Sequence, residues 1–168
     1  MYEKLLTRRS VRKYTAQQVS DAELDKVLQA GLYAPTAKNN QKPVMVAVRD
    51  KQTRDLLSAI NAKIMGVETD PFYGAPCVIV VLADPACPTW IDDGSLVLGN
   101  LLNAANALGL GSCWINRARE TFDLPEGKEL LKKWGLPESY RGVGNCILGY
   151  PDENPELKAR LEGRIIKV

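Results

Sequence analysis

Five residues near the start of the chain, Arg8-Arg9-Ser10-Val11-Arg12, hold three guanidiniums and a hydroxyl, while the whole protein carries a formal net charge of only +2. A local surplus of this kind asks for an anion. Arginine presents a planar fork of donors that matches phosphate or carboxylate oxygens two at a time, and serine adds a small hydroxyl beside it. Taken alone, the run reads equally as a solvated basic face, because basic clusters are common and usually bind nothing specific. The chain has no histidine. That absence removes Ser-His and Cys-His nucleophilic machinery, His-metal sites and imidazole bases together, so an enzyme made from this chain draws its chemistry from something other than an ordinary side-chain acid or base. Cys77, Cys87, Cys113 and Cys146 are widely spaced with no CxxC, which signals neither zinc nor a redox dithiol. Three of them sit in apolar, strand-like runs and read as small buried hydrophobes.

The elements that must position such residues are legible in outline. Ser20-Asp21-Ala22-Glu23 has capping-box spacing and opens a helix whose Leu24, Val27, Leu28 and Leu32 recur at helical intervals until Ala34-Pro35 stops it. An amide-rich loop, residues 36–43, follows. Residues 44–48 form a strand candidate, residues 53–64 a second amphipathic helix, and residues 66–76 a Gly- and Pro-rich loop whose Phe72 and Tyr73 either line a pocket or pack on the core. The unbroken Cys77-Val78-Ile79-Val80-Val81-Leu82 marks a strand buried on both faces, at the centre of the sheet. Asp92 or Asp93 can cap the next helix, through Leu108, whose apolar face is wide enough for the domain core or for a subunit contact. Residues 112–115 and 143–148 are further strands, with a helix between them opened by Asp123 as cap and Pro125 in the first turn. Ile165-Ile166-Lys167-Val168 reads as a short terminal strand that adds either to its own sheet or to that of a second subunit. The alternation of single strands and helices is that of an α+β domain.

At 168 residues the chain has the length of one domain, 1–168, with 45% hydrophobic and 25% charged residues. The small net charge argues against a nucleic-acid binder. No apolar run is long enough to span a membrane and no signal peptide is evident, so the expected compartment is the cytoplasm.

In order along the chain, Arg8-Arg9-Ser10-Val11-Arg12-Lys13-Tyr14, Ala34-Pro35-Thr36-Ala37-Lys38-Asn39-Asn40-Gln41, Ala75-Pro76 before a buried strand, Asn100-Leu101-Leu102-Asn103-Ala104-Ala105-Asn106-Ala107-Leu108-Gly109-Leu110-Gly111-Ser112-Cys113-Trp114-Ile115 and Leu148-Gly149-Tyr150-Pro151 together resemble the nitroreductase family of FMN-dependent oxidoreductases. The resemblance implies a small, mostly antiparallel sheet surrounded by helices, with the C-terminal segment adding to the partner subunit. It implies bound FMN, NADH or NADPH as reductant, a small electron-poor acceptor such as a nitroaromatic or quinone, and a homodimer with FMN at the subunit interface. By similarity, Arg8 and Ser10 hold phosphate and ribityl oxygens, Arg9 adds mainly main-chain contacts, and Arg12 lies near the N1 edge of the ring, where a cation stabilises the anionic reduced flavin. Pro35, Thr36 and Asn39 match a loop that reaches the flavin from the opposite subunit, although Pro43 stands one place later than in many members. Residues 112–117 match a segment whose amides face flavin N5 and O4; the side chains of Asn116 and Arg117 either narrow the site or turn to solvent. Lys158 and Arg160, with Arg164 close by, match a basic pair that completes phosphate binding. No side chain is implied as catalytic, because flavin N5 carries the chemistry. A non-catalytic flavin store or redox sensor is the alternative on the same fold.

Overall fold

A seven-residue strand with no side chain exposed organises the molecule. In the computed structural model, which describes residues 2–168, Cys77–Ala83 is buried along its whole length. Labelled in chain order, the strands are β1 (Val44–Val48), β2 (Cys77–Ala83), β3 (Gly111–Ile115) and β4 (Arg141–Gly149), and they pair antiparallel in the order β1-β2-β4-β3. β2 is thus interior, as its unbroken apolar run predicts. Its alternation feeds two cores: Ile79 and Val81 point into one and Val78, Val80 and Leu82 into the other.

Helices cover both faces. α1 (Tyr2–Thr7), α2 (Asp21–Leu32) and α4 (Trp90–Ala107) belong to the first side, where Val27, Val97, Leu98 and Leu101 are buried. α3 (Lys51–Met65), α5 (Ala118–Asp123) and α6 (Pro125–Lys133) supply Leu57, Phe122 and Leu131 to the second. The capping box of α2 forms as its spacing predicts, with Ser20 Oγ accepting from the Glu23 amide and donating to the Glu23 carboxylate. α3 starts two residues earlier than its apolar spacing alone places it, because Asp50 accepts from the Thr53 amide at 2.8 Å.

β4 carries a bulge opposite Val81 and Leu82, and the glycines flanking it let other parts approach. A Cβ on Gly142 would lie 2.2 Å from the Ala118 carbonyl oxygen, and one on Gly144 would lie 2.5 Å from the indole nitrogen of Trp114. The bulge therefore seats α5 on one face and the Trp114 ring on the other.

Four readings change. The N-cap of α4 is Thr89, and Asp93 lies one turn inside the helix, free to face another loop. Asp123 does not cap α6; it ends α5, a helix too short for its apolar period to show, and pairs with Arg141. Residues 2–7, to which local pattern assigns no element, form α1, held on α4 by a bond from Asn106 Nδ2 to the Lys4 carbonyl at 2.7 Å. The terminal Ile165 and Ile166 join neither sheet edge, since residues 156–168 are exposed and outside any strand. A strand needs a neighbour to pair with, and within one chain the tail meets neither sheet edge.

Candidate functional site

The basic run is not a frayed end. Residues 8–15 form a strap lying across the strand ends. Ser10 pairs with Ser112 on the outer edge of β3, where the Val11 amide donates to the Ser112 carbonyl at 3.0 Å. The Thr15 amide donates to Tyr150, and the Asp152 amide donates back to Lys13. Tyr14 tucks beneath, its hydroxyl bonded to the Val11 carbonyl; burial, with Cys113 and Cys146 nearby, pushes its pKa well above the usual phenol value. This backbone pairing fixes where the guanidiniums start. Arg9 Nη1 donates to the carbonyls of Leu6 and Arg8 at 3.2 and 2.9 Å and so closes the end of α1.

The strap fits an anionic, flat cofactor. Among the described residues, none of Arg8, Arg9 and Arg12 is ion-paired, and Arg9 Nε is buried without a hydrogen-bond partner. β3 is an edge strand whose outer side meets the strap only at Ser10 and Val11. Since Ser112 turns its carbonyl outward, the two-residue period turns the main-chain groups of Trp114 the same way, along the same edge. A planar ligand with polar edge atoms finds main-chain partners there without any side chain moving. The Trp114 side chain is 49% exposed beside it. At the end of β3 the Asn116 carbonyl accepts from Asn61 Nδ2 at 2.8 Å, and Arg117 takes a left-handed backbone with φ 73°. Asn61 is wholly buried and its Oδ1 has no partner. The Asn116 side chain itself is exposed.

On the flank of the strap, Arg12 stacks over the Tyr73 ring, 5.7 Å from its centroid. Of the two aromatics expected to share a role, Phe72 goes to the core and Tyr73 is 43% exposed. Tyr73 has φ 53°, a left-handed conformation that costs a bulky side chain about 1–2 kcal/mol. The Asp70 carboxylate holds this turn, accepting from the amides of Phe72 (2.8 Å) and Gly74 (2.7 Å), from Ser58 Oγ and from Arg54. Arg54 also donates from Nε to the Ala75 carbonyl at 3.1 Å, so it grips both ends of the turn. Burial would raise the Asp70 pKa, but Arg54, Ser58 and the two amides outweigh it and hold the carboxyl below its ordinary value.

Residues 36–41 are assembled elsewhere. Asp93, buried in α4, accepts from the Ala37 amide at 2.9 Å and from Asn40 Nδ2 and Thr89 Oγ1, each at 3.0 Å. Thr36 Oγ1 accepts from the Gln41 amide, and Gln41 Nε2 donates to Asn39 Oδ1 at 3.2 Å. Lys38, Asn39 and Gln41 all have positive φ, so the loop is a tightly wound knob with Pro35 and Asn39 exposed. Gln41 is thereby an internal brace of the knob. Asn106, beside the strap, and Asp93, beside the knob, are thirteen residues apart on α4, about 20 Å of helix. Within one chain the structure does not bring Arg8, Ser10 and Arg12 together with Pro35, Thr36 and Asn39. Nor does it bring Lys158 and Arg160 to the strap, since both are exposed on the tail.

Cys77, Cys113 and Cys146 are buried. Burial pushes the Cys77 thiol up to about 12 and Cys146 higher still, so neither supplies a nucleophile at neutral pH. No helix among the described residues is long and apolar enough to cross a membrane, and no cluster of metal-ligating side chains occurs among them.

Residues 5–78 match the model of the nitroreductase family. Over 175 residues, 98% of this chain and 71% of the relative, the sequence is 31% identical to an NADPH-flavin oxidoreductase of Vibrio harveyi. The chain belongs to the nitroreductase family. Its fold is that of a nitroreductase with bound FMN from Bacteroides fragilis NCTC 9343, at a TM-score of 0.89 and 29% identity, covering 99% of this chain and 97% of that one. An FMN-dependent nitroreductase from Clostridium difficile R20291 is 32% identical, with a TM-score of 0.78 over 98% of this chain and 94% of that one. The strap, the Asp93-braced knob and the edge of β3 are thus parts of a nitroreductase fold. Asn61, Arg54 and Asp93 escaped sequence reasoning because each acts on a segment distant along the chain, and the local pattern at Asp93 even favours a cap; Asp70 bonds the amides two and four residues on, inside a loop that shows no period.

Asp93 yields a pH prediction. Burial raises its pKa, but the Ala37 amide, Asn40 and Thr89 together bring it below the ordinary carboxylate value. A depressed folded-state pKa contributes stability that is present above the unfolded value near 3.9 and is lost as pH falls through the folded one. Asp93→Asn is expected to lower stability at pH 6 by about 1–3 kcal/mol, and to flatten the loss between about pH 5 and pH 2. Urea unfolding across that range checks both; an unchanged acid limb contradicts the assignment.

Proposed function

We propose that this nitroreductase-family chain, as one domain, is an FMN-dependent oxidoreductase that uses NADH or NADPH. The observation that carries the reading is the strap: three guanidiniums without an ion-pair partner, tied by backbone bonds to one end of an open strand edge. Bound FMN would supply the hydride chemistry between NADH or NADPH and a small flat acceptor such as a nitroaromatic or quinone, the two substrates using one pocket in turn. Arg8 and Ser10 hold the phosphate and ribityl oxygens, while Arg12 supplies positive charge at the pyrimidine edge. The outward main-chain groups of Trp114 orient the ring, and Asn61 fixes the Asn116 peptide that follows. The missing histidine follows, because these residues bind and orient and none relays a proton.

The working unit is a homodimer. The 20 Å between strap and knob within a chain supports a second copy whose Pro35, Thr36 and Asn39 complete the site. Exposed apolar side chains support it too, among them Tyr33, Leu32, Leu96 and the tail's Ile165 and Ile166. In that assembly the tail, with Lys158 and Arg160, reaches the partner rather than its own strap. The intracellular compartment that supplies reduced nicotinamides is where such an enzyme works.

Purified holoprotein, mixed anaerobically with NADH or NADPH, should lose its oxidised flavin absorbance within seconds and regain it on adding a quinone. Bleaching that takes hours would point to a flavin store instead. Arg8→Gln should weaken FMN binding about tenfold or more, read by quenching of free flavin fluorescence; unchanged affinity would return Arg8 to the solvated face. Light scattering should give twice the chain mass for the flavin-loaded protein, and a folded monomer holding flavin would refute the dimer.

A further inference from the structure

The guanidinium of Arg12 needs a fixed position if it is to act on a bound ring, and its own backbone does not provide one. Arg12 is exposed, and the nearby carboxylate of Glu153 accepts from its main-chain amide rather than from its side chain. Among the described residues the recorded contact of that guanidinium is the face of Tyr73. Tyr73, in turn, is held outward by the same construction that buries its neighbours Phe72 and Ala75: a left-handed aromatic followed by left-handed Gly74, clamped by Asp70, Ser58 and a buried Arg54. Strain of this sort persists only where its surroundings over-determine it, and it concentrates at functional sites. Phe72, one residue earlier, shows that the turn can bury an aromatic; the clamp exposes the next one toward Arg12.

We infer that Tyr73 is a positioning residue: its ring, presented by the Asp70–Arg54 clamp, orients the Arg12 guanidinium and through it sets the reduction potential of the bound flavin. The inference rests on the proposed placing of Arg12 at the pyrimidine edge of FMN. A cation held there favours the anionic reduced flavin over the neutral oxidised one and so raises the potential. When the ring is lost, the guanidinium is released to solvent and the potential falls. The phenol hydroxyl is not needed, because the ring face carries the attraction.

The test is an equilibrium reductive titration of FMN-loaded protein against a reference dye, comparing the unsubstituted chain with Tyr73→Asn, Tyr73→Phe and Arg12→Gln. Asparagine tolerates the left-handed backbone, so Tyr73→Asn keeps the turn while removing the ring. It is expected to lower the ratio of reduced-flavin to oxidised-flavin affinity about tenfold, about 30 mV for a two-electron couple. Arg12→Gln should shift the potential in the same direction, and Tyr73→Phe should leave it in place. A lowered potential in Arg12→Gln with none in Tyr73→Asn overturns the role of Tyr73 while leaving that of Arg12 standing. If Arg12→Gln also leaves the potential unmoved, the placing of Arg12 at the flavin fails, and the inference fails with it.

Discussion

The short parallel pairing between Ser10 and Ser112 does more for the site than its two residues suggest. An edge strand offers a row of unpaired main-chain groups, and the strap occupies only the first of them before turning away across the strand ends. This leaves three arginines rooted at one end of an edge whose remaining main-chain groups are not taken up by the strap. Had residues 8–14 continued as a fifth strand, β3 would have no free edge; had they not paired at all, the guanidiniums would have no fixed origin. The interior of the sheet supports this, since β2 is buried on both faces and β4 connects it rigidly to β3.

Charge is handled differently in the strap and in its surroundings. Arg54, Arg49 and Arg141 each have a carboxylate partner, and Asp93 and Asp70 are saturated with donors. These groups are structural: they brace a knob, a turn and a helix packing. The strap's arginines have no such partner among the described residues, and they are tied by backbone bonds to an open strand edge, which is why a cluster that is unremarkable by composition becomes informative in three dimensions. The left-handed residues fall into the same division. Lys38, Asn39 and Gln41 wind the knob, Tyr73 tops the clamped turn, and Arg117 follows the end of β3. All five border the strap, the knob or the β3 edge, and each is over-determined by side-chain or main-chain bonds at its segment.

Much of the architecture is legible from local pattern. The unbroken run of β2, the capping box at Ser20 and the proline stop after α2 are short-range signals whose physical causes lie within a few residues of one another. What local pattern misses has a common character. Thr89 takes the cap position from Asp92 and Asp93 because Asp93 is needed by a loop fifty-six residues earlier. α5 is six residues long, too short to display an apolar period. The tail's Ile165 and Ile166 look like a strand because they are β-branched, and they are not one because nothing in the chain pairs with them.

The sequence by itself determined the central strand, the order of the four strands and the longer helices, and the presence of an unbalanced cationic run, since each depends on neighbouring residue types. Only the tertiary structure decided where that run points, that Phe72 is core while Tyr73 meets Arg12, and that strap and knob lie at opposite ends of α4. Those outcomes depend on contacts between residues far apart in the chain, such as Val11 with Ser112, Asp93 with Ala37 and Asn61 with Asn116. No periodicity encodes such pairs, because the free energy that selects them comes from packing the whole sheet and its two helical layers at once.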